Sequence, residues 1–282
     1  MGQGEVIGVI GLGRMGSAIA QRLSGQNTVL GWNRTVRPAP DGVTLADDLQ
    51  ALVQRCTIIV TSLYDDAALN DVAKQLAQFD LSGKLVVETS TIGAATLQMV
   101  AKQLADAAFI DAPIAGGPPM VLQAKAGMLM GGDAQHIARW QPFAKQLAAR
   151  VLHVGPLGAG AAAKTVNNMM LVGYWQVLKE ALLTGRQAGL ALEPMLHMLA
   201  DGPAASDAFR ARLPKITGED SVVGFSVNGV VKDARLFVET AQGYGVDVPA
   251  LRASLASFQA ASAAGIGDDD LARMLAHACA QI

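Results

Sequence analysis

The sequence holds few of the side chains on which several classes of function depend. Its 282 residues include only two cysteines, Cys56 and Cys279, which fit no redox or metal motif because they lie far apart. We expect both to be buried thiols in a reducing compartment. Aromatic residues make up 5% of the chain, the net charge is −2, and Lys and Arg form no cluster. These properties argue against a nucleic-acid partner.

Several functional motifs are absent as well. No uncharged apolar run reaches the ~18 residues of a membrane span, and the first predicted strand begins near Glu5, so we expect no signal peptide. Hydrolytic and metal mechanisms lack support because there is no Ser-His-Asp order, His-Glu-x-x-His or Cys-x-x-Cys pattern. The scattered histidines are expected to be structural: His136, His153, His197 and His277. We therefore expect a soluble, cytoplasmic protein that binds neither membranes nor metal ions.

Near the start of the chain, an apolar β-branched run leads directly into a glycine-rich turn and a helical pattern. Residues 6–10 are typical of a buried parallel strand, and Gly11-x-Gly13-x-x-Gly16 follows. Gly11 suits a tight turn, Gly13 the close approach of a phosphate, and Gly16 close packing of helix on strand. An ordinary strand–helix turn is the alternative, but this order favours a dinucleotide pyrophosphate at the helix N-terminus. The predicted cofactor-binding residues here are Gly11, Leu12, Gly13, Arg14 and Met15.

The turn after the second predicted strand bears on which dinucleotide is bound. Residues 28–32 end in Asn33-Arg34-Thr35. An NAD site usually has an Asp or Glu about 20 residues past the glycines, where it binds the ribose 2′-hydroxyl. Asn33 is neutral, whereas the planar cation of Arg34 suits a 2′-phosphate. An exposed arginine without a ligand is the alternative, but Arg34 together with Thr35 favours NADP (NADPH) over NAD.

Short apolar strands and helical patterns alternate through the first half of the chain. Further strands are predicted near residues 57–61, 85–87, 109–110 and 128–130, and aspartates stand at the starts of the helices between them. This alternation predicts an α/β fold with an N-terminal Rossmann domain, a doubly wound parallel sheet, over residues 1–157. Ligands on such a sheet bind beyond the carboxyl ends of the strands. Ser62 and Leu63 directly follow Thr61 and are therefore added to the predicted cofactor-binding residues.

A turn rich in glycine at residues 155–160 marks the predicted start of a second domain, over residues 158–282. From about Ala159 a helical pattern runs to Arg186, which predicts a long interdomain helix. No strand is predicted after Val154, so this domain should be all-α. The acidic residues 268–270 are expected to form the first turn of the final helix.

Lys164 and Asn168 stand four residues apart on the long helix, so they share a face that continues to Trp175. A solvated lysine and asparagine on an ordinary helix are the alternative. The helix is apolar around much of its girth, at Met169, Met170, Leu171, Val172, Tyr174 and Trp175. A helix that is apolar on most sides is buried on most sides. We therefore expect a second subunit to cover part of it in a homodimer or higher homo-oligomer.

Four separated motifs, in residues 6–15, 111–117, 155–168 and 225–233, resemble those of the β-hydroxyacid dehydrogenase family. Its members include 3-hydroxyisobutyrate dehydrogenase, tartronate semialdehyde reductase and glyoxylate/succinic semialdehyde reductases. The resemblance covers nearly the whole chain, and the third motif, Gly-x-x-Gly-x-Gly-x-x-x-Lys-x-x-x-Asn, is specific. It implies that Lys164 is the catalytic acid/base and that Asn168 contacts the substrate.

The resemblance also implies roles for other segments. The loop at residues 111–117 would hold the substrate carboxylate, Lys232 and Asp233 would close over substrate and nicotinamide, and Thr91, with Ser90, would lie near the nicotinamide ribose. The implied substrate-binding residues are Ala115, Gly116, Gly117, Lys164, Asn168, Lys232 and Asp233, while Thr91 and Lys232 join the cofactor-binding residues.

The substrate loop departs from the family's pattern at one position. Ala115 stands where the family has a serine, so a hydroxyl donor is missing. Pro118 and Pro119 offer no N–H groups, although the two glycine amides before them remain. Carboxylate recognition is thereby weakened. Trp175 is a candidate to line the vacated space with apolar surface, and packing in a core or an interface is the alternative.

The sequence thus predicts an NADPH-dependent oxidoreductase that moves a hydride between the nicotinamide and a small aldehyde, keto acid or 3-hydroxy acid. One alternative is an imine reductase, which resembles this family in fold and cofactor but generally lacks the helical lysine. Lys164 disfavours that alternative, and Ala115 favours it. The other is a non-catalytic NADPH-binding module, which the presence of Lys164 also disfavours.

Overall fold

The computed structural model describes residues 5–281 and divides between Val166 and Asn167 into two units. The first unit contains a nine-stranded sheet in the order β3-β2-β1-β4-β5-β6-β8-β7, with β9 paired to β8. Its strands are β1 (Val6–Ile10), β2 (Thr28–Trp32), β3 (Thr44–Leu45), β4 (Ile58–Thr61), β5 (Leu85–Glu88), β6 (Ala108–Asp111), β7 (Ile114–Ala115), β8 (Ala126–Gly131) and β9 (Ala148–Gly155). Its helices are α1 (Arg14–Ser24), α2 (Leu49–Arg55), α3 (Asp66–Leu76), α4 (Ala94–Gln103), α5 (Pro118–Leu122) and α6 (Ala134–Leu147), followed by the start of α7 (Ala159–Gln187).

Strands β1 to β6 pair in parallel, from β3 at one edge of the sheet to β6. Side chains along each strand alternate between two hydrophobic clusters, because Ile58 and Val60 pack in one cluster and Ile59 packs in the other. Burial on both faces explains why these strands read as continuous apolar runs. The predicted doubly wound Rossmann sheet is confirmed.

The other end of the sheet runs antiparallel, which the sequence patterns did not reveal. β8 pairs antiparallel with β6 and β7, and β9 pairs parallel with β8. A parallel return needs a crossover of a dozen or more residues, usually a helix. Only the five-residue α5 lies between β7 and β8, whereas the 14-residue α6 connects the parallel strands β8 and β9. The sheet is therefore mixed and not parallel throughout.

The second unit is helical. The 29-residue α7 contains the division between the units, and its bounds match the predicted span from Ala159 to Arg186. It is followed by α8 (Leu192–Asp201), α9 (Asp207–Arg210), α10 (Leu213–Thr217), α11 (Val227–Gly243), α12 (Pro249–Ala261), a π-helical turn (Ser262–Ile266) and α13 (Arg273–Cys279). After β9, the described chain has no strand beyond a single bridge between Ser226 and Asp270. The predicted all-α second domain is confirmed.

The acidic run at residues 268–270 does not form the first turn of the final helix, so that prediction is wrong. The final helix begins only at Arg273. Asp270 is buried, accepts a hydrogen bond from the backbone N–H of Gly224 at 2.8 Å, and lies 3.4 Å from Nε of Arg212. A buried carboxylate needs such partners. These partners are distant in sequence, so a local pattern could not predict them.

Both cysteines are buried free thiols, as predicted. Burial raises the pKa of the Cys56 thiol to about 12, because the thiolate is poorly solvated there. Among residues 5–281, no helix has the length and apolar character needed to cross a bilayer.

Candidate functional site

The carboxyl ends of five parallel strands meet at one edge of the sheet in the first unit. The last residues of these strands are paired in one row: Trp32, Ile10, Thr61, Glu88 and Asp111. The segments that follow them therefore lie side by side along this edge. It brings together the predicted cofactor-binding residues Gly11, Leu12, Gly13, Asn33, Ser62, Leu63 and Thr91.

The glycine turn after β1 has the geometry that a dinucleotide needs. Gly11 has a φ of 94°, and its N–H donates to the Trp32 carbonyl at 2.9 Å. A Cβ atom at Gly16 would collide with the Gly11 carbonyl oxygen, so the helix packs directly on the turn. A Cβ atom at Gly13 would meet nothing within 4 Å, and no side chain caps α1 at its first residues, Arg14 and Met15. This open space before the first turn of the helix fits a pyrophosphate.

Asn33 joins the glycine turn to the segment after β2. Its Oδ1 accepts a hydrogen bond from the Leu12 N–H at 2.9 Å, and its Nδ2 donates to the Thr35 carbonyl at 2.7 Å. The amide side chain therefore braces two backbone segments. Arg34 and Thr35 are exposed beside it.

A cleft of about 360 Å³ adjoins this turn. Its lining residues are Leu12, Ser17, Gln21, Arg37, Pro38, Ala39, Pro40 and Asp41. Arg37 was missed by the sequence reasoning, although it stands only three residues after Arg34. Within residues 5–281, neither arginine forms an ion pair, so two exposed cations flank this end of the sheet edge.

Two buried carboxyl groups, Glu88 and Asp111, end adjacent strands in the middle of the edge. Glu88 accepts hydrogen bonds from the Thr61 hydroxyl and the Ser90 N–H, and the Ser90 hydroxyl accepts from the Leu63 N–H at 2.7 Å. Burial raises the pKa of Glu88 to about 7, the hydrogen bonds oppose this shift, and the charge of Asp111 adds to it. Burial also raises the pKa of Asp111, although backbone N–H groups donate to it. Both residues could have been identified from the sequence, because each is an acidic residue that directly follows an apolar strand pattern.

Lys164 lies beside the predicted substrate loop in the first unit. Its side chain is buried, and Nζ donates to the Ile114 carbonyl at 2.6 Å. Ala115 follows in β7, paired with β8, and Gly116 has a φ of 142° that suits only glycine. Gly117 caps the start of α5. The structure therefore brings Lys164 together with the loop at residues 115–117.

The remaining predicted site residues belong to the second unit. Asn168 is buried, and its Oδ1 accepts a hydrogen bond from Asn167 at 3.0 Å. Lys232 and Asp233 are neighbours on α11, and Lys232 Nζ lies 2.7 Å from the Asp233 carboxylate.

Trp175 does not line the space left by the missing hydroxyl at Ala115. Its side chain is fully buried in the core of the helical unit, where its ring packs edge-on against Phe209 and lies under the Arg212 guanidinium. A large apolar ring on an inward helical face stabilises a core. The structure therefore supports the core interpretation of Trp175 and not the pocket-lining one.

The sheet and its glycine turn define an α/β protein of the dinucleotide-binding Rossmann class. Two family models match the chain: the NAD binding domain of 6-phosphogluconate dehydrogenase over residues 6–155, and the NAD-binding domain of NADP-dependent 3-hydroxyisobutyrate dehydrogenase over residues 158–278. The chain belongs to the β-hydroxyacid dehydrogenase family of NAD(P)-dependent oxidoreductases, which includes 3-hydroxyisobutyrate dehydrogenase.

Curated relatives span most of the chain. An oxidoreductase of Synechocystis sp. is 30% identical over 84% of this chain and 86% of its own length. The glyoxylate/succinic semialdehyde reductase 2 of Arabidopsis thaliana is 26% identical over 95% of this chain and 78% of its own. The 2-(hydroxymethyl)glutarate dehydrogenase of Eubacterium barkeri is 27% identical over 95% and 93%.

Solved structures share the fold. The 3-hydroxyisobutyrate dehydrogenase of Mycobacterium tuberculosis, with L-serine, has a TM-score of 0.84 at 23% identity over 97% of this chain and 98% of its own. Psf3 in complex with NADP+ and 2-OPP has a TM-score of 0.85 at 23% identity over 96% and 99%. An imine reductase from Pseudomonas sp. has a TM-score of 0.61 at 22% identity over 96% and 98%.

The buried carboxyl of Glu88 predicts a pH-dependent stability. Because its pKa is about 7 in the folded protein and 4.5 ordinarily, the folded state holds the proton more tightly. This stabilisation is fully present below the ordinary pKa and is lost as the pH rises through the folded pKa. Between about pH 5 and pH 8, the free energy of unfolding of the native protein should fall relative to Glu88→Gln by about 1–3 kcal/mol.

Urea unfolding of both proteins across this pH range measures the difference. Asp106→Asn, which alters an exposed carboxyl of the same unit, serves as the control and should leave the native pH dependence unchanged. Parallel curves for the native protein and Glu88→Gln would contradict the raised pKa of Glu88.

Proposed function

We propose that this protein is an NADPH-dependent oxidoreductase that transfers a hydride between the nicotinamide and a small aldehyde or keto acid, or a 3-hydroxy acid in the reverse direction. The observation that carries the proposal is the buried side chain of Lys164, whose Nζ is held 2.6 Å from the Ile114 carbonyl oxygen beside the loop at residues 115–117. A buried lysine beside a substrate loop can exchange a proton with a bound substrate, whereas a solvated lysine on an ordinary helix has no such role.

The first unit provides the residues that would hold the cofactor. The N–H groups at the start of α1 would bind the pyrophosphate across the open space at Gly13. Arg34 would bind the 2′-phosphate, and Arg37 is added to that role because it lines the adjoining cleft. Ser62, Leu63 and Thr91 would contact the rest of the dinucleotide. Once bound, the cofactor supplies the hydride chemistry. A solved structure of the same fold contains NADP+, which is compatible with this assignment.

Lys164 would handle the proton on the substrate oxygen. As a carbonyl oxygen becomes an alkoxide, a nearby ammonium both stabilises the negative charge and donates a proton. The Ile114 carbonyl orients the ammonium, and burial of the lysine keeps water away from it. In the reverse direction, the neutral amine would accept the proton from the hydroxyl. Asn168, Lys232 and Asp233 are assigned to the substrate on the family resemblance.

Imine reduction on the same site is the second candidate function. Ala115 favours it, because this residue directly follows the carbonyl that holds Lys164 and offers no hydroxyl to a carboxylate. The fold shared with an imine reductase is compatible with it. Lys164 favours carbonyl substrates, since an imine nitrogen needs different proton handling.

Removing the lysine amine tests the proposed chemistry. Lys164→Ala should fold and bind NADPH normally, but its turnover with succinic semialdehyde should fall by roughly 10²–10⁴, the usual effect of losing a positioned acid/base. Fluorescence titration of NADPH and steady-state kinetics measure the two properties. Lys145→Ala, on the exposed face of α6, is the control. Near-normal turnover of Lys164→Ala would remove Lys164 from the mechanism.

Cofactor preference tests the two arginines. Because charge-assisted hydrogen bonds contribute roughly 1.5–3 kcal/mol, NADPH should bind at least tenfold more tightly than NADH. Arg34→Ala should lose most of this preference by weakening NADPH binding, Arg37→Ala should lose part of it, and NADH affinity should change little. Arg55→Ala, an exposed arginine of the same unit, should retain the preference. Equal native affinities, or a preference that survives both substitutions, would contradict the assignment.

Substrate selectivity tests the role of Ala115. The native protein should accept succinic semialdehyde and its uncharged analogue butanal with similar kcat/KM, whereas Ala115→Ser should raise kcat/KM for the acid alone by roughly tenfold to a hundredfold. Paired kinetics on both aldehydes measure this. A native preference for the acid of a thousandfold or so, unchanged by Ala115→Ser, would contradict the argument.

A homodimer through the helical unit is part of the proposal. Met170 is 75% exposed and Val177 is 63% exposed, two helical turns apart on α7, so they form an apolar stripe that a second copy would cover. Light scattering at micromolar concentration should give the mass of two chains, and Met170→Lys with Val177→Lys should give one. Val246→Lys, an exposed valine beyond α11, should leave the mass unchanged. A native monomer would contradict the dimer.

A further inference from the structure

We propose that Asp111 is a positioning residue for Lys164, because its carboxylate holds the first turn of α7 against the end of β6. This inference rests on the proposed role of Lys164 as the acid/base. Asp111 belongs to the substrate motif, yet its side chain is buried and turned towards α7.

The carboxylate of Asp111 binds the start of the helix directly. Oδ1 accepts a hydrogen bond from the Gly158 N–H at 2.8 Å, and Oδ2 accepts one from the Ala161 N–H at 2.7 Å. N–H groups in the first turn of a helix have no partner within the helix, and a negative charge there is favoured by the helix dipole. The cap of α7 is therefore supplied by Asp111, the last residue of β6, which lies 47 to 50 residues earlier in the chain than the N–H groups that it binds.

The hydrogen bond that holds Lys164 lies next to the one that Asp111 accepts from Ala161. Asp111 binds Ala161, and three residues further along both segments the Ile114 carbonyl accepts from Lys164 Nζ. Each pair is separated by 50 residues in the chain. A displacement of the helix start that breaks the first contact therefore also shifts the second. Without such a constraint, the long lysine side chain would populate many rotamers.

Close backbone packing leaves little room for another arrangement. A Cβ atom at Gly160 would lie 2.6 Å from Oδ2 of Asp111 and 2.5 Å from the Leu129 carbonyl oxygen, so the helix start rests directly on β6 and β8. An asparagine at position 111 would keep the shape of the aspartate but would point an NH2 group at one of the two backbone N–H groups. The helix start, and Lys164 with it, should then move.

Small displacements of a catalytic group have large effects on rate, because a misplacement of about 1 Å can reduce it a hundredfold. Asp111→Asn should therefore lower kcat by roughly tenfold to a hundredfold. Its affinity for NADPH should change little, because the glycine turn and the arginines lie at other strand ends.

A double-mutant cycle separates positioning from general structural damage. Single-turnover NADPH oxidation with succinic semialdehyde or butanal, whichever is faster, is measured for the native protein, Asp111→Asn, Lys164→Ala and the double variant. If Asp111 acts through Lys164, Asp111→Asn should slow the native protein but cause little further loss in Lys164→Ala. Asp133→Asn, which alters the aspartate cap of α6, is the matched control and should leave turnover unchanged.

The outcomes distinguish this inference from the proposed function. Equal losses from Asp111→Asn in both backgrounds, or no loss in either, would overturn the positioning role and leave Lys164 in place. Near-normal turnover of Lys164→Ala would overturn the proposed function and this inference with it. If Asp111→Asn fails to fold, Asp111→Ser is measured in the same cycle. The serine hydroxyl can rotate to accept a hydrogen bond from one helix N–H, so it need not point a donor at that N–H.

Discussion

The parallel register of β2, β1, β4, β5 and β6 is the constraint on which the site depends. Isoleucines and valines of these strands are buried on both faces, so a slip of one residue would exchange every side chain between the two cores. The register therefore holds the strand ends in one row. The glycine turn, the turn at Asn33, the segments at Ser62 and Thr91 and the predicted substrate loop each begin where one of these strands ends.

The sheet edge is electrostatically divided. After the end of β2, Arg34 and Arg37 are exposed and Arg37 lines an open cleft, an arrangement that suits a charged phosphate. At the ends of β5 and β6, Glu88 and Asp111 are buried and bound by hydroxyl and backbone donors. Electrostatic interactions are strong in such an environment because water does not screen them. Lys164, the group proposed to exchange a proton, is held by the Ile114 carbonyl three residues beyond the end of β6.

Local patterns predicted the elements that have local causes. The glycine turn, the first strands, the aspartate caps and the full length of α7 follow from spacing and propensity within a few residues of each other. The antiparallel β8 and the place of Asp270 were not predictable in this way, because both depend on partners far along the chain. Trp175 was ambiguous for a related reason: a helical face indicates that a side chain points inwards, but not whether a core or a pocket receives it. Arg37 stood close to a predicted residue, and only the folded loop shows that it lines the cleft.

We propose that the edge of the sheet binds NADPH and that this edge and Lys164 together form a carbonyl-reducing site. The most direct test of this proposal is NADPH oxidation by the native protein across a panel of semialdehydes, keto acids, uncharged aldehydes and cyclic imines. We expect turnover with at least one aldehyde or keto acid, at a higher rate than with any cyclic imine. Tight NADPH binding without turnover of any carbonyl compound would contradict it and identify a binding module, and turnover of imines alone would identify the other reductase chemistry.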